Sequence, residues 1–208
     1  MSSGFDALMA HADPALVIVT VAADDEMAGC VVGFHSQCSI EPPRYAVWLS
    51  KANRTCRVAL FAAQFAVHFL SDQDHDLAEL FGGTSGDDVD KFARCDWERD
   101  PGGVPLLVQC PNRVVLQRVT QLDDGSDHVC LIGAPLRADA TAELPALRVS
   151  RAQDITPGHG ADDLGPRPTR PASDDAPPPT AGPHGDDAEV AAAGAGHAID
   201  LENPESLS

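Results

Sequence analysis

Residues 28–57 read AGCVVGFHSQCSIEPPRYAVWLSKANRTCR. An apolar run from Gly29 to Phe34 leads into a polar stretch, His35 to Ser39, and then into the rigid Pro42-Pro43 pair. A second apolar run, Tyr45 to Leu49, opens onto Ser50-Lys51-Ala52-Asn53-Arg54-Thr55. Both runs have strand length, and the proline pair belongs at a corner because proline cannot donate within a central ladder. From Pro42 to Ser71 there is no Asp or Glu, although the chain has 32 acidic residues. Arg44, Lys51, Arg54 and Arg57 all fall in that gap, which reads as a place kept ready for an anion.

Outward from this stretch, hydrophobic patterning sets the fold class. Residues 15–22, ALVIVTVA, form a β-branched run with the pattern of a strand buried on both faces. Asp24-Asp25-Glu26 is a turn that makes a hairpin with Gly29–Gly33. Asn53 or Thr55 caps an expected helix over about 54–63. A strand follows at Phe65–Leu70, then a short helix begun by Asp72 or Asp74 and closed after Phe81 by Gly82-Gly83. Asp87 to Ala93 reads as a helical turn, 112–122 and 128–134 as strands, and 144–149 as a last strand. Six or seven strands joined mostly as hairpins predict a mainly β, antiparallel small barrel with short helices at its rim. Neither GxGxxG nor GxxxxGK[ST] occurs, so those nucleotide loops are excluded.

Composition divides the chain. Residues 151–208 hold no Phe, Tyr or Trp, nine of 17 prolines, and three basic against eleven acidic residues. Such a segment buries too little apolar surface to offset its ordering entropy, so 156–208 is expected to be a disordered acidic tail behind a folded domain at 1–155. Residues 1–150 carry 11 basic against 21 acidic residues, a field that argues against nucleic acid or anionic membrane as partners. No apolar run reaches 18 residues and the N-terminus lacks a basic n-region, which points to a cytoplasmic protein. The six cysteines show no CxxC and no tight pairing with histidine, so they read as buried thiols and no metal site is expected.

The residues that could carry chemistry allow more than one reading. Ser50, Lys51, Asn53, Arg54 and Thr55 offer hydroxyl, amide and cationic donors to a phosphate, and equally describe a capped helix with solvated cations. Ser36, Gln37, Cys38 and Ser39 can line the polar edge of a flat ligand or satisfy their own loop. His128 follows Asp127 at a strand start, where a carboxylate can orient an imidazole, although strand neighbours point to opposite faces. His68, in an apolar strand, reads as a satisfied core histidine.

The order Gly29-x6-Ser36-Gln37-Cys38-Ser39-x-Glu41-Pro42-Pro43, then Ser50-x2-Asn53-x-Thr55, resembles the flavin reductase-like, FMN-binding split β-barrel family. Later landmarks agree in order: Phe65–Leu70, Leu77-Ala-x2-Phe81, Lys91-Phe92, Gly103-x-Pro105-Leu106 and Asp127-His128. The resemblance implies a homodimer that binds FMN and reduces flavin with NADH or NADPH by hydride transfer to flavin N5, for a partner monooxygenase or another acceptor. By position it implies Val31, Val32, Gly33, Phe34 and His35 along the isoalloxazine ring, with Ser36 to Ser39 at its polar edge. It also implies Ser50, Lys51, Asn53 and Thr55 at the ribityl phosphate, Phe92 against the flavin, and His128 facing the nicotinamide or flavin as the catalytic residue. The chain departs from the family at Gly33, Phe34 and Ser126, and in lacking an aromatic closing strand. Two other classes remain: a flavin carrier or sensor without efficient reductase activity, and a barrel binding haem through His35 or His68.

Overall fold

The computed structural model describes residues 3–140 and 145–158; the expected acidic tail beyond these lies outside the described residues. Helix α1 (Ser3–Ala12) precedes strands β1 (Val17–Ala23), β2 (Glu26–Val32), β3 (His35–Ser39) and β4 (Arg44–Ser50). Helix α2 (Arg54–Ala59), β5 (Gln64–Phe69) and α3 (His75–Gly82) follow, then β6 (Trp97–Arg99), β7 (Pro105–Leu107), β8 (Arg113–Leu122) and β9 (His128–Asp139). Seven strands form one antiparallel sheet in the order β2-β1-β5-β8-β9-β4-β3, and β6 pairs with β7.

The pleat sends alternate residues to opposite faces, and the sheet curls so that one face encloses a core. Val17, Val19 and Val21 meet Ala28, Cys30, Val32, Val47, Leu49, Phe65, Val67, Leu116, Val129 and Leu131 there, and α2 adds Cys56, Val58 and Ala59. The other face of β1 is also covered. Leu16 and Ile18 pack against Leu77, Ala78 and Phe81 of α3, with Phe92, Leu107 and Leu147. This second layer is why β1 is apolar at nearly every position, as its sequence predicted.

Helix α1 and strands β6 and β7 were not expected, and three further elements differ from expectation. His35–Ser39 is an edge strand, with Ser36 opposite Ala46 and Gln37 opposite Tyr45, because its backbone finds partners on β4 whatever its side chains. Helix α2 stops at Ala59, where the Arg118 guanidinium donates to the carbonyls of Ala59 (3.0 Å) and Leu60 (2.6 Å). The expected last strand makes no ladder over its described part, 145–149. Instead Leu147 is spliced between two strand ends, accepting from Leu16 N–H (2.7 Å) and donating to Leu70 O (3.0 Å). Near the end of the described residues, Gly158 N–H donates to Gly82 O at 3.0 Å.

Candidate functional site

The register of β3, β4 and β9 decides which side chains share a face. Ser36 pairs with Ala46, Trp48 with Cys130 and Ser50 with His128, so Ser36, Trp48, Ser50 and His128 lie on the outer face. Phe34 joins them. Its carbonyl accepts from Trp48 N–H (2.9 Å), and its exposed ring meets the His128 imidazole edge-on at 5.4 Å between centroids. His128 Nδ1 lies 2.9 Å from Asp127 Oδ1. The alternation objection fails because Asp127 precedes the strand and its side chain is free to turn back. That hydrogen bond, the largest cause, holds the Asp127 carboxyl below its usual range. With Nδ1–H donated to a carboxylate, Nε2 is left as the acceptor.

The remaining residues of the 31–39 stretch divide between faces. Val32 is buried in the enclosed core, while Val31 packs outward against the α3 layer. His35 accepts at Nδ1 from the Tyr45 hydroxyl (2.6 Å) and donates Nε2–H to Ala15 O (2.9 Å), and burial pushes its pKa down. His68 donates Nδ1–H to Ile18 O (3.2 Å) and accepts from Leu107 N–H (3.1 Å). Both histidines have both ring nitrogens engaged, which leaves no lone pair for haem iron. Ser36 and Gln37 bond the nearby carbonyls of Gln37 and Ser39. Cys38, against expectation, is exposed, because it sits where a bulge interrupts the β3–β4 register.

Ser50 to Asn53 form a tight turn, with Asn53 N–H donating to Ser50 O (3.0 Å) and Ala52 N–H to Ser50 Oγ (3.3 Å). Asn53 caps α2 without a side-chain bond to it. The acid-free gap of the sequence is filled in space by acids from elsewhere. Lys51 Nζ meets Asp123 at 2.6 Å, Arg57 meets Asp87 at 2.6 Å, and Arg54 meets Glu26 at 3.7 Å. Arg54 also donates to Gly86 O at 2.9 Å.

Beside this turn lies a cleft of about 330 Å³, lined by Gly29, Asn53, Arg54, Thr55, Lys91 and Phe92 among others, with Asp87, Asp88 and Asp90 also in its lining. Asn53, Thr55 and Phe92, which the resemblance places at the flavin, therefore meet here with Arg54, in a cleft whose lining does not include Phe34 or His128. Phe92 is buried edge-on between Phe81 and Trp97 and contributes to the cleft only from within the core. Thr55 is buried and hydrogen-bonds Cys30, whose thiol burial pushes up to about 11.

Lys91 was legible as a landmark but not as part of the site. Its Nζ donates to Phe81 O (2.8 Å) and Gly29 O (3.2 Å) and lies 5.6 Å from the Phe81 ring centroid. Burial lowers its pKa, with no carboxylate among the causes. The available signal was a lysine after three aspartates, followed at once by an aromatic residue.

A model of the flavin reductase like domain matches residues 9–151. The chain is 31% identical over 119 residues to the stachydrine N-demethylase reductase subunit of Rhizobium meliloti, covering 55% of this chain and 50% of that protein. It is 26% identical over 131 residues to the flavin reductase (NADH) of Kitasatospora aureofaciens, 62% of this chain and 67% of that one. Its fold resembles the FMN-binding protein of Thermus thermophilus with a TM-score of 0.56 and 24% identity, over 60% of this chain and 69% of that chain. The chain spans about half the length of several relatives that it matches. The family match runs from α1 through the whole seven-stranded sheet to the Leu147 splice, well over half of the sequence, and the chain belongs to the flavin reductase like domain family.

Proposed function

We propose that this chain is a flavin oxidoreductase that binds FMN and reduces it with NADH or NADPH. In this reading it acts as a homodimer in the cytoplasm and supplies reduced flavin to a partner monooxygenase or another acceptor. The observation that carries the reading is the junction of two features. The face bearing Phe34, Ser50 and His128 runs directly into the cationic turn Lys51–Thr55. Among the described residues no helix is long and apolar enough to cross a membrane, and the six cysteines are free thiols, as a reducing compartment keeps them.

The donor set suits a ribityl phosphate. Ser50 offers a hydroxyl, Asn53 an amide unused in capping, and Lys51 and Arg54 charge, while Thr55 lines the cleft with its buried hydroxyl already engaged by Cys30. Their present ion pairs are exposed, and such pairs are each worth about 0–1 kcal/mol, little enough for a phosphate dianion to displace. Backbone from Val31 to His35 and the Phe34 ring would follow the isoalloxazine, with Ser36 and Cys38 at its polar edge. Side chains of Val32 and His35 point elsewhere and could offer only backbone. When bound, FMN supplies an electron-poor ring that accepts hydride from a nicotinamide. His128, held by Asp127, offers a positioned acceptor beside Phe34 for the nicotinamide amide or the flavin. The chain's work is to position, orient and exclude water, which needs no side-chain nucleophile.

The test is direct. Purified protein should show flavin absorption or take up added FMN, and should speed NADH or NADPH oxidation when FMN is present. A colourless protein that neither binds FMN nor accelerates nicotinamide oxidation sinks the proposal. Replacing Lys51 and Arg54 together by Ala is expected to weaken FMN about tenfold and riboflavin far less, because riboflavin lacks the phosphate. Titration of both ligands by flavin fluorescence measures it, and equal weakening would remove the phosphate role of these cations.

A further inference from the structure

The turn between β8 and β9, Asp123–Asp127, is fastened to Lys51 at both ends. At one end the Lys51 ammonium meets Asp123 Oδ1 at 2.6 Å, with side chains 27% and 52% exposed. At the other, the Lys51 backbone N–H donates to Asp127 O at 2.9 Å. Asp123 is held in its pose, since its Oδ1 also accepts from Gly125 N–H at 2.9 Å, where Gly125 has φ +89. Asp127 in turn orients His128. Lys51 is therefore the point where the turn that leads to His128 meets the cationic end of the site.

Resting on the assignment of Lys51 to the flavin phosphate, we infer that Asp123 is a built-in competitor for that phosphate. A carboxylate and a phosphate oxygen demand the same donors from one ammonium. A phosphate arriving at Lys51 must displace Asp123 or share the ammonium with it, so the carboxylate acts through that shared donor. Asp123 thus lowers affinity selectively for phosphorylated flavin and leaves the unphosphorylated ring untouched. Displacement frees only the Asp123 end of the turn, because the Lys51 N–H to Asp127 O bond involves backbone alone. A site tuned in this way releases FMN more readily than its cations alone would allow, which suits a protein that passes reduced flavin onward.

The experiment compares FMN and riboflavin dissociation constants by fluorescence quenching for the full chain, D123N, K51A and the double variant. Asparagine keeps the carbonyl oxygen that Gly125 N–H needs and removes only the charge. D123N is expected to tighten FMN about fivefold and leave riboflavin unchanged, the size of one exposed ion pair. In the K51A background the same change should do much less, because the shared ammonium is gone. Unchanged or weaker FMN binding in D123N, equal effects on both ligands, or a full effect without Lys51 would each overturn the inference. If K51A fails to separate FMN from riboflavin, the phosphate assignment itself falls, and the inference with it. If K51A separates them but D123N does not, the competition alone is wrong.

Discussion

Lowering the pH from 7 to 4 is expected to remove about 3 kcal/mol of folding stability through His68 alone. The imidazole is fully buried, and that desolvation, the largest cause, lowers its pKa from 6.5 to about 4. Its two hydrogen bonds fix the neutral form. Nδ1–H donates to Ile18 O on β1, and Nε2 must accept from Leu107 N–H on β7. A proton on Nε2 would set two donors against each other in a dry interior, beside the Arg113 charge that also lowers the pKa. The sign follows from the depressed folded value. Above pH 6.5 both states are neutral and the contribution is whole; between 6.5 and 4 the unfolded chain binds the proton that the folded chain refuses. Stability therefore falls through that window and levels off below it. Urea unfolding of the wild type and His68→Gln at pH 7, 6, 5 and 4 isolates the effect, since glutamine does not titrate. Equal pH slopes for both proteins would show that His68 does not carry it.

Gly133→Ala is expected to cost about 2–3 kcal/mol and to lower the melting temperature by roughly 5–10 °C. Gly133 lies on β9 between Tyr45 of β4 and Arg118 of β8. A Cβ there would stand 2.7 Å from Leu116 Cβ and 2.9 Å from Phe65 Cζ, both on fully buried side chains. Leu116 Cβ is fixed by its own backbone, so no rotamer relieves the contact and strands must separate. Gly33→Ala is the control. Its added methyl would meet Leu16 and Val149 at 3.7 Å, ordinary contact, and the variant should melt near the wild type. Differential scanning calorimetry of the two variants decides, and a Gly133→Ala protein as stable as Gly33→Ala would refute the packing argument.

The fold was legible where local chemistry and burial agree. The β-branched run at 15–22, the hairpin turn at Asp24 and the strands at 65–70 and 112–122 all appear within a residue or two, because each packs against the enclosed core or the α3 layer, and the strand read at 128–134 starts in place but runs on to Asp139. Reading failed where partners came from far along the chain. His35–Ser39 has no strand composition and becomes a strand only because β4 returns beside it. Leu144 to Val149 has strand composition, yet its described residues find the ends of β1 and β5 already paired and make only bridges. Lys91 escaped because nothing local shows that its ammonium will end between two carbonyls under a phenyl ring.

The stretch 28–57 separates the two kinds of information most clearly. By itself the sequence determined the strand–corner–strand path, the family and the concentration of cations after Ser50, because periodicity, proline geometry and charge are properties of neighbouring residues. Only the tertiary structure decided that His35 and Val32 turn away from the face shared by Phe34, Ser50 and His128, since register across three strands sets that face. It also decided that Lys51, Arg54 and Arg57 each meet an acid: Asp123, Glu26 and Asp87 stand 72, 28 and 30 residues away in the chain, and folding brings them within an ion pair's reach.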